Sequence, residues 1–248
     1  MLIRYRIAKE AFRMSLISFI VPAHNEEQLL GETLRAIGEA ARALPDPFEV
    51  IVVDDASADK TAEIARAHGA RVVSVAYRQI ARTRNAGARN AHGGWFVFVD
   101  ADTIVNKEVL GAAIAAMRKG AIGGGCSVRF DGHVPRYARA LTAIALPLYR
   151  ALGLAAGCFV YCTRDAFHAV GGFDESLFAA EEAALSFALH RQGRFVVLRE
   201  SVTTSARKLR TFTAREILSM FLRLAIRPSA LRRREGLDIW YGQRRPDP

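Results

Sequence analysis

Four aspartates stand in two close groups, Asp54 with Asp55 and Asp100 with Asp102 in the run Asp-Ala-Asp. Side chains two apart on an extended segment point to the same side, so Asp100 and Asp102 can face one cation. Mg²⁺ and Mn²⁺ take oxygen ligands, commonly one or two carboxylates completed by substrate phosphates. A diphosphate needs such a counter-ion before it can leave. A carboxylate at Asp54 or Asp55 can accept a hydrogen bond from a base N–H or a ribose hydroxyl. It can equally close an Asx turn and only shape its loop. Arg82, Arg84 and Arg89, with Asn85 and Gly87 among them, offer guanidinium groups suited to a diphosphate, or else a solvated basic helix face.

These groups need elements to hold them. Continuously apolar runs at 16–21, 48–53, 71–75 and 95–99 read as strands, and strands without alternation are buried on both faces. Helical patterns lie between them: 26–44, with Asn25 as N-cap; a helix capped by Ser57 or Asp59 and ending near Gly69; and 81–92. Alternating strands and helices of this kind predict an α/β fold with a Rossmann-like, mostly parallel central sheet and helices on both faces. Ligands then bind beyond the carboxyl ends of the strands. There stand VPAHNEE (21–27), VVDDASAD (52–59) and FVDADT (98–103). No GxxxxGK[ST] occurs and no GxGxxG follows the first strand, which argues against a P-loop enzyme or a nicotinamide dehydrogenase.

After Asp102 the rhythm changes. A helix at 106–118, a Gly-rich strand at 121–130 and an apolar helical region at 135–152 interrupted by Pro147 come first. A strand at 158–163, a helix at 182–192, short strands at 195–198 and 202–205, and an amphipathic helix at 213–226 follow. The expected organisation is an extension (1–13), one domain (14–206) with halves 14–103 and 104–206, and a basic helical segment (207–248).

The net charge of +10 on 248 residues favours phosphorylated substrates, anionic lipid or nucleic acid. No helix-turn-helix pattern or aromatic-interleaved basic surface appears, so nucleic acid is not an expected partner. No apolar run reaches the roughly 18 residues of a spanning helix. Cys126, Cys158 and Cys162 read as reduced thiols of a cytoplasmic protein. The last helix alternates Ile217, Leu218, Phe221, Leu222 and Leu224 with Arg215, Arg223 and Arg227. Arginines at 232–234, Trp240 and Tyr241 follow. This pattern predicts peripheral contact with an anionic membrane at the inner face of the cell.

The segments VPAHNEE, VVDDASAD, RNAG (84–87) and FVDADT, then VGGFDES (170–176) and AAEEAALSFALHRQG (179–193), together resemble the family 2 glycosyltransferases with a GT-A fold. The resemblance runs from about Ser15 to about Phe195. It implies a sugar transferred from a nucleotide diphosphate sugar to an acceptor hydroxyl, with Mg²⁺ or Mn²⁺ and with inversion. By the resemblance, Pro22, Ala23, Asn25 and Glu26 line the nucleotide pocket and Asp54 or Asp55 holds the base. Arg84 and Asn85 lie near the diphosphate. Asp100, with Ala101 beside it, approaches the ribose or metal, and Asp102 binds the metal. Glu182 falls where the general base sits, with Glu181 next to it, although two acids at a helix start also complement its dipole. The sugar and the acceptor stay unnamed, a lipid-linked acceptor being one candidate. A retaining transferase, or a chain that binds nucleotide sugars without catalysis, are the alternatives. Two departures stand out. The last strand runs into SVTTSARKLRT (201–211), which lacks the late metal-binding histidine of many relatives. Gln243 and Arg244 lack the Trp of the processive QxxRW segment, so a single transfer is expected.

Overall fold

Strands that are apolar on both faces must be covered on both, and the computed structural model shows how. It describes residues 15–242, the side chain of residue 225 excepted. The extension at 1–13 and the pair Gln243 and Arg244 lie outside these residues. The strands β1 (Ile17–Ala23), β2 (Phe48–Asp55), β3 (Arg71–Val75) and β4 (Trp95–Val99) pair in parallel in the order β3-β2-β1-β4. The register sets Ala23 opposite Asp54, so the first two polar loops leave the sheet side by side.

Helices α1 (Leu30–Arg42), α2 (Thr61–Ala67) and α3 (Ile80–Asn90) connect them. Two expected caps are corrected. Asn25 is not an N-cap: α1 starts at Leu30, and Asn25 sits at φ 52 in the loop before it. A short polar side chain tolerates that left-handed backbone by bonding locally, and its Oδ1 accepts from the Ala58 amide at 2.8 Å. Neither Ser57 nor Asp59 is the N-cap of α2, a place held by Lys60. α3 lies hard against β1. A Cβ on Gly87 would come 2.3 Å from a methyl of Ile20, so only glycine permits that approach.

The second half adds β5 (Thr103–Ile104), α4 (Lys107–Arg118), β6 (Gly123–Phe130), α5 (Arg136–Ala151), β7 (Phe159–Thr163), α6 (Arg164–Ala169), α7 (Glu181–His190) and β8 (Phe195–Thr204). After these come α8 (Arg207–Thr211), α9 (Ala214–Ile226), a 3₁₀ turn (Pro228–Arg232) and α10 (Asp238–Tyr241). The sheet continues from β4 as β7-β6-β8-β5. Here β7 runs antiparallel to β4 and β6, and β5 antiparallel to β8, while β6 and β8 are parallel. The two short strands expected at 195–198 and 202–205 are one strand. Exposed Arg199 and Glu200 read as a break, yet pairing with β6 continues across an irregularity between Gly125 and Ser127.

One core lies on each side of the sheet. α1 and α4 cover one face with Leu30, Ile37, Leu110 and Ile114. α3, α6 and α7 cover the other, where Phe96, Phe98, Phe167 and Phe173 meet edge to face. α5 is the exception: Ala138 is its one buried residue.

Candidate active site

The loops beyond β1, β2 and β4 open into a cleft whose space, together with the open solvent at its mouth, is about 1040 Å³. Of the residues expected there, Pro22, Ala23, Glu26, Asp55, Asp100, Ala101 and Asp102 line it, whereas Asn25, Asp54, Arg84 and Asn85 do not.

The physical reason is that the latter four build the walls. Arg84 is 2% exposed. Its Nη1 donates to Glu181 Oε1 at 2.7 Å, and its Nη2 donates to Asp100 Oδ1 at 2.8 Å and to the Gly157 carbonyl at 2.9 Å. The guanidinium lies 5.2 Å from the Phe173 ring centre. Arg84 is thus a strut joining the end of β4 to the start of α7. Next to it, Asn85 clamps the loop before α7: its Nδ2 donates to the Phe173 carbonyl at 2.9 Å and to Glu175 at 3.0 Å, and its Oδ1 accepts from the Phe173 amide at 3.0 Å. That clamp requires Gly172, at φ +77, where a Cβ would sit 2.8 Å from Asn85 Oδ1. Arg82 and Arg89 pair with Glu175 at 3.5 and 3.6 Å. The segment RNAG is therefore architecture, and the cations on the cavity wall are Arg78, Arg207 and Lys208.

Both β2 aspartates shape loops. Asp54 accepts from the Ser57 amide at 3.3 Å. Asp55 accepts from the Tyr77, Arg78 and Gln79 amides and from Thr83 Oγ1. This carries residues 77–79 to the cavity rim. His24, held by the Asp55 carbonyl at 2.8 Å and in contact with Arg78, lines the cavity and was not singled out from the sequence, although it stands inside VPAHNEE.

Asp102 and Glu26 meet on one cation. Arg207 Nη2 lies 3.3 Å from both Glu26 oxygens and 3.5 Å from Asp102 Oδ2. Burial, with Glu26 and Asp100 nearby, pushes the Asp102 carboxyl up to about 6, although Lys208 and Arg207 pull against it. No cluster of three or more His, Cys, Asp or Glu side chains able to hold a metal exists among the described residues. Two cavity-wall carboxylates nonetheless fit a hard cation that draws its remaining ligands from phosphate and water. Of the two carboxylates expected on such a cation, Asp102 lies on the cavity wall beside Arg207, and Asp100, also on the wall, is bonded to Arg84.

Glu181 is buried on Arg84, whereas Glu182, half-buried, packs beside Gly157 and the same guanidinium. Burial and the neighbouring Glu181 carboxylate raise the Glu182 carboxyl to about 8, Arg84 opposing. A carboxyl in that range suits proton abstraction near neutral pH.

The segment at 238–242 adds a further wall to the cavity, and the Tyr241 ring lies 5.7 Å from Phe178. The Tyr241 hydroxyl accepts from the Ile80 amide at 3.5 Å. Trp240 and Tyr241, expected at a membrane interface, instead face the cavity. Leu237 is buried with Ala179 and Met220 and holds this segment down.

With this geometry, residues 18–172 match the family model described as Glycosyl transferase family 2. The chain belongs to glycosyl transferase family 2. Among relatives, validoxylamine A glucosyltransferase of Streptomyces hygroscopicus subsp. limoneus is 32% identical over 108 residues, 41% of this chain and 23% of that one. Undecaprenyl-phosphate 4-deoxy-4-formamido-L-arabinose transferase of Pseudomonas paraeruginosa is 36% identical over 99 residues, covering 37% and 29%. The chain thus spans under a third of the length of either relative. The mannosyltransferase PcManGT from Pyrobaculum calidifontis, solved in complex with GDP-Man and Mn²⁺, superposes with a TM-score of 0.63. The match has 20% identity and covers 92% of this chain and 74% of that one. The family 2 domain therefore has the GT-A fold.

Proposed function

We propose that this family 2 domain transfers a sugar from a nucleoside diphosphate sugar to an acceptor hydroxyl, with inversion and once per encounter. The observation that carries the reading is the chain of contacts Asp100–Arg84–Glu181, which ties the floor of the nucleotide cavity to the helix bearing Glu182. The relatives and the GDP-Man complex support a nucleotide-sugar donor, and the undecaprenyl-phosphate transferase supports a lipid-carried acceptor.

In this mechanism Pro22, Ala23 and the rim at 77–79 hold the nucleoside, and Arg207 and Lys208 face the diphosphate. The Glu182 carboxylate takes the proton of the acceptor hydroxyl as its oxygen bonds to the anomeric carbon. The bond from that carbon to the diphosphate oxygen breaks, and the electron pair leaves with the nucleoside diphosphate. Asp102 and Glu26 would hold a Mg²⁺ or Mn²⁺ ion, which when bound would neutralise charge on the leaving diphosphate. Glu181 keeps Arg84, and through it Asp100, in place.

The test is nucleotide release from a panel of nucleotide sugars with Mn²⁺ or Mg²⁺, for the wild type and for Glu182→Gln. Release by the wild type, cut about 10²-fold or more in the variant while donor binding persists, supports the reading. Full activity of the variant, or retention of configuration by NMR, overturns the base assignment. No release from any donor overturns the transferase reading.

A further inference from the structure

We infer that α5 and α9 form the face on which this protein lies against an anionic membrane, an inference that rests on the lipid-carried acceptor proposed above. α5 is sixteen residues long, yet it buries only Ala138. Ile144, Leu148 and Leu152 are 73%, 54% and 55% exposed. Their spacing of four places them in one stripe. α9 buries Ile217 and Met220 and turns Leu218, Phe221, Leu222 and Ile226 outward at 55%, 48%, 61% and 68% exposed. Of the large apolar side chains exposed among the described residues, only Phe187, on α7, lies outside these two stripes. Singly scattered apolar residues are ordinary on a protein surface, but stripes are not.

The starts of the two helices lie close together, beside the site. The Tyr137 hydroxyl, in the first turn of α5, donates to the carbonyls of Leu209 and Phe212 at 2.6 and 2.7 Å, just before α9. Thr211 and Phe212 line the donor cavity. Beyond the other end of α5, the Ala155 amide donates to Ser186 Oγ on α7 at 3.1 Å, and Gly157 packs against Arg84 and Glu182. α5 therefore runs from the wall of the donor cavity to the helix that carries the proposed base. A surface laid along it would bring headgroups to the side where the acceptor must enter.

Charge decides the occupant. Arg136, Arg139 and Arg150 are exposed, and residues 136–152 contain no acid. On α9 Arg215 and Arg223 are exposed, as is Arg227 just after it, and the one acid of the helix, Glu216, is used in the capping box with Thr213. Exposed arginines at 232–234 follow. A second copy facing these stripes would set cation against cation. An anionic bilayer meets both features, apolar side chains at the acyl boundary and guanidinium groups on the headgroups. No helix among the described residues is long and apolar enough to cross a membrane, so α5 and α9 would lie along the bilayer surface.

The test is co-sedimentation of the full chain with vesicles of phosphatidylcholine alone or mixed with phosphatidylglycerol. The wild type should pellet with the mixed vesicles and be released by salt. The pairs Ile144→Glu with Leu148→Glu, and Leu222→Glu with Ile226→Glu, should each lower partitioning by about 10²-fold. Their nucleotide release should match the wild type, which also shows that they fold. A wild type that stays in the supernatant at low salt overturns the inference, and so do variants that sediment like the wild type. A dimer in light scattering that either pair dissociates, without vesicle binding, would assign the stripes to self-association instead. Nucleotide release without vesicle binding sinks the membrane face alone. Vesicle binding without release from any donor sinks the transferase reading alone.

Discussion

Arg84→Met removes the strut between Asp100 and Glu181, and its cost follows from burial. The Glu181 side chain is 6% exposed and that of Asp100 30%, so the loss strands one fully buried carboxylate and one half-buried one. Breaking a buried pair by removing one partner costs about 3–5 kcal/mol. For a chain of this size, each kcal/mol moves the melting temperature by about 2–4 °C, which gives a drop of roughly 6–20 °C. Calorimetry should show that drop, and adding Glu181→Gln should recover much of it by removing the stranded charge. Arg84→Lys, able to reach one carboxylate at a time, should fall between. Because the guanidinium does not line the cavity, Arg84→Lys should keep nucleoside diphosphate affinity within about threefold of wild type, whereas Arg207→Ala should lose about tenfold with its charge-assisted pair. A melting temperature within about 2 °C of wild type for Arg84→Met would refute the strut. So would an affinity loss in Arg84→Lys equal to that in Arg207→Ala.

Further outcomes follow from the same geometry. With the Glu182 carboxyl raised from 4.5 to about 8, kcat/KM should climb with pH through an apparent value near 8 as the base loses its proton, and Glu182→Gln should lack that limb. The same group stabilises the fold in its protonated form. That contribution is complete below about 4.5 and is lost as pH rises through about 8, so urea midpoints at pH 5, 7 and 9 should fall less in Glu182→Gln than in wild type. Asp102→Ala should abolish the metal-dependent part of nucleoside diphosphate binding, and equal calorimetric affinity of the wild type with and without EDTA would contradict metal dependence. Gly87→Ala forces a methyl to 2.3 Å from Ile20. It should cost about 1–3 kcal/mol by overpacking, read as a lower urea midpoint with donor affinity unchanged.

What could be read in the residues and what could not divide along a physical line. Apolar runs, which depend only on local pattern, located β1 to β4 and placed Asp100 and Asp102 at a strand end beside the cavity. The amphipathic helix expected at 213–226 is equally local in its signal, and α9 spans Ala214–Ile226. The break expected between 198 and 202 failed because β8 is held by β6, a partner far away in sequence whose hydrogen bonds outweigh two exposed charges. Arg84 shows the same limit at the site. A guanidinium on a helix can serve a phosphate or a carboxylate, and the choice fell to Glu181, 97 residues on. Tyr241 reaches the cavity rim at Ile80 across 161 residues, a distance over which a Trp-Tyr pair carries no local signal of direction.

The sequence by itself determined that there is a parallel α/β half with acidic loops at one edge, because burial of uninterrupted apolar strands leaves them no other place. Only the tertiary structure decided which charged side chains are spent on each other and which remain for a ligand. Ion pairs form by distance in space, at 2.7 Å between Arg84 and Glu181 and 3.5 Å between Arg207 and Asp102, and separation along the chain has no bearing on either.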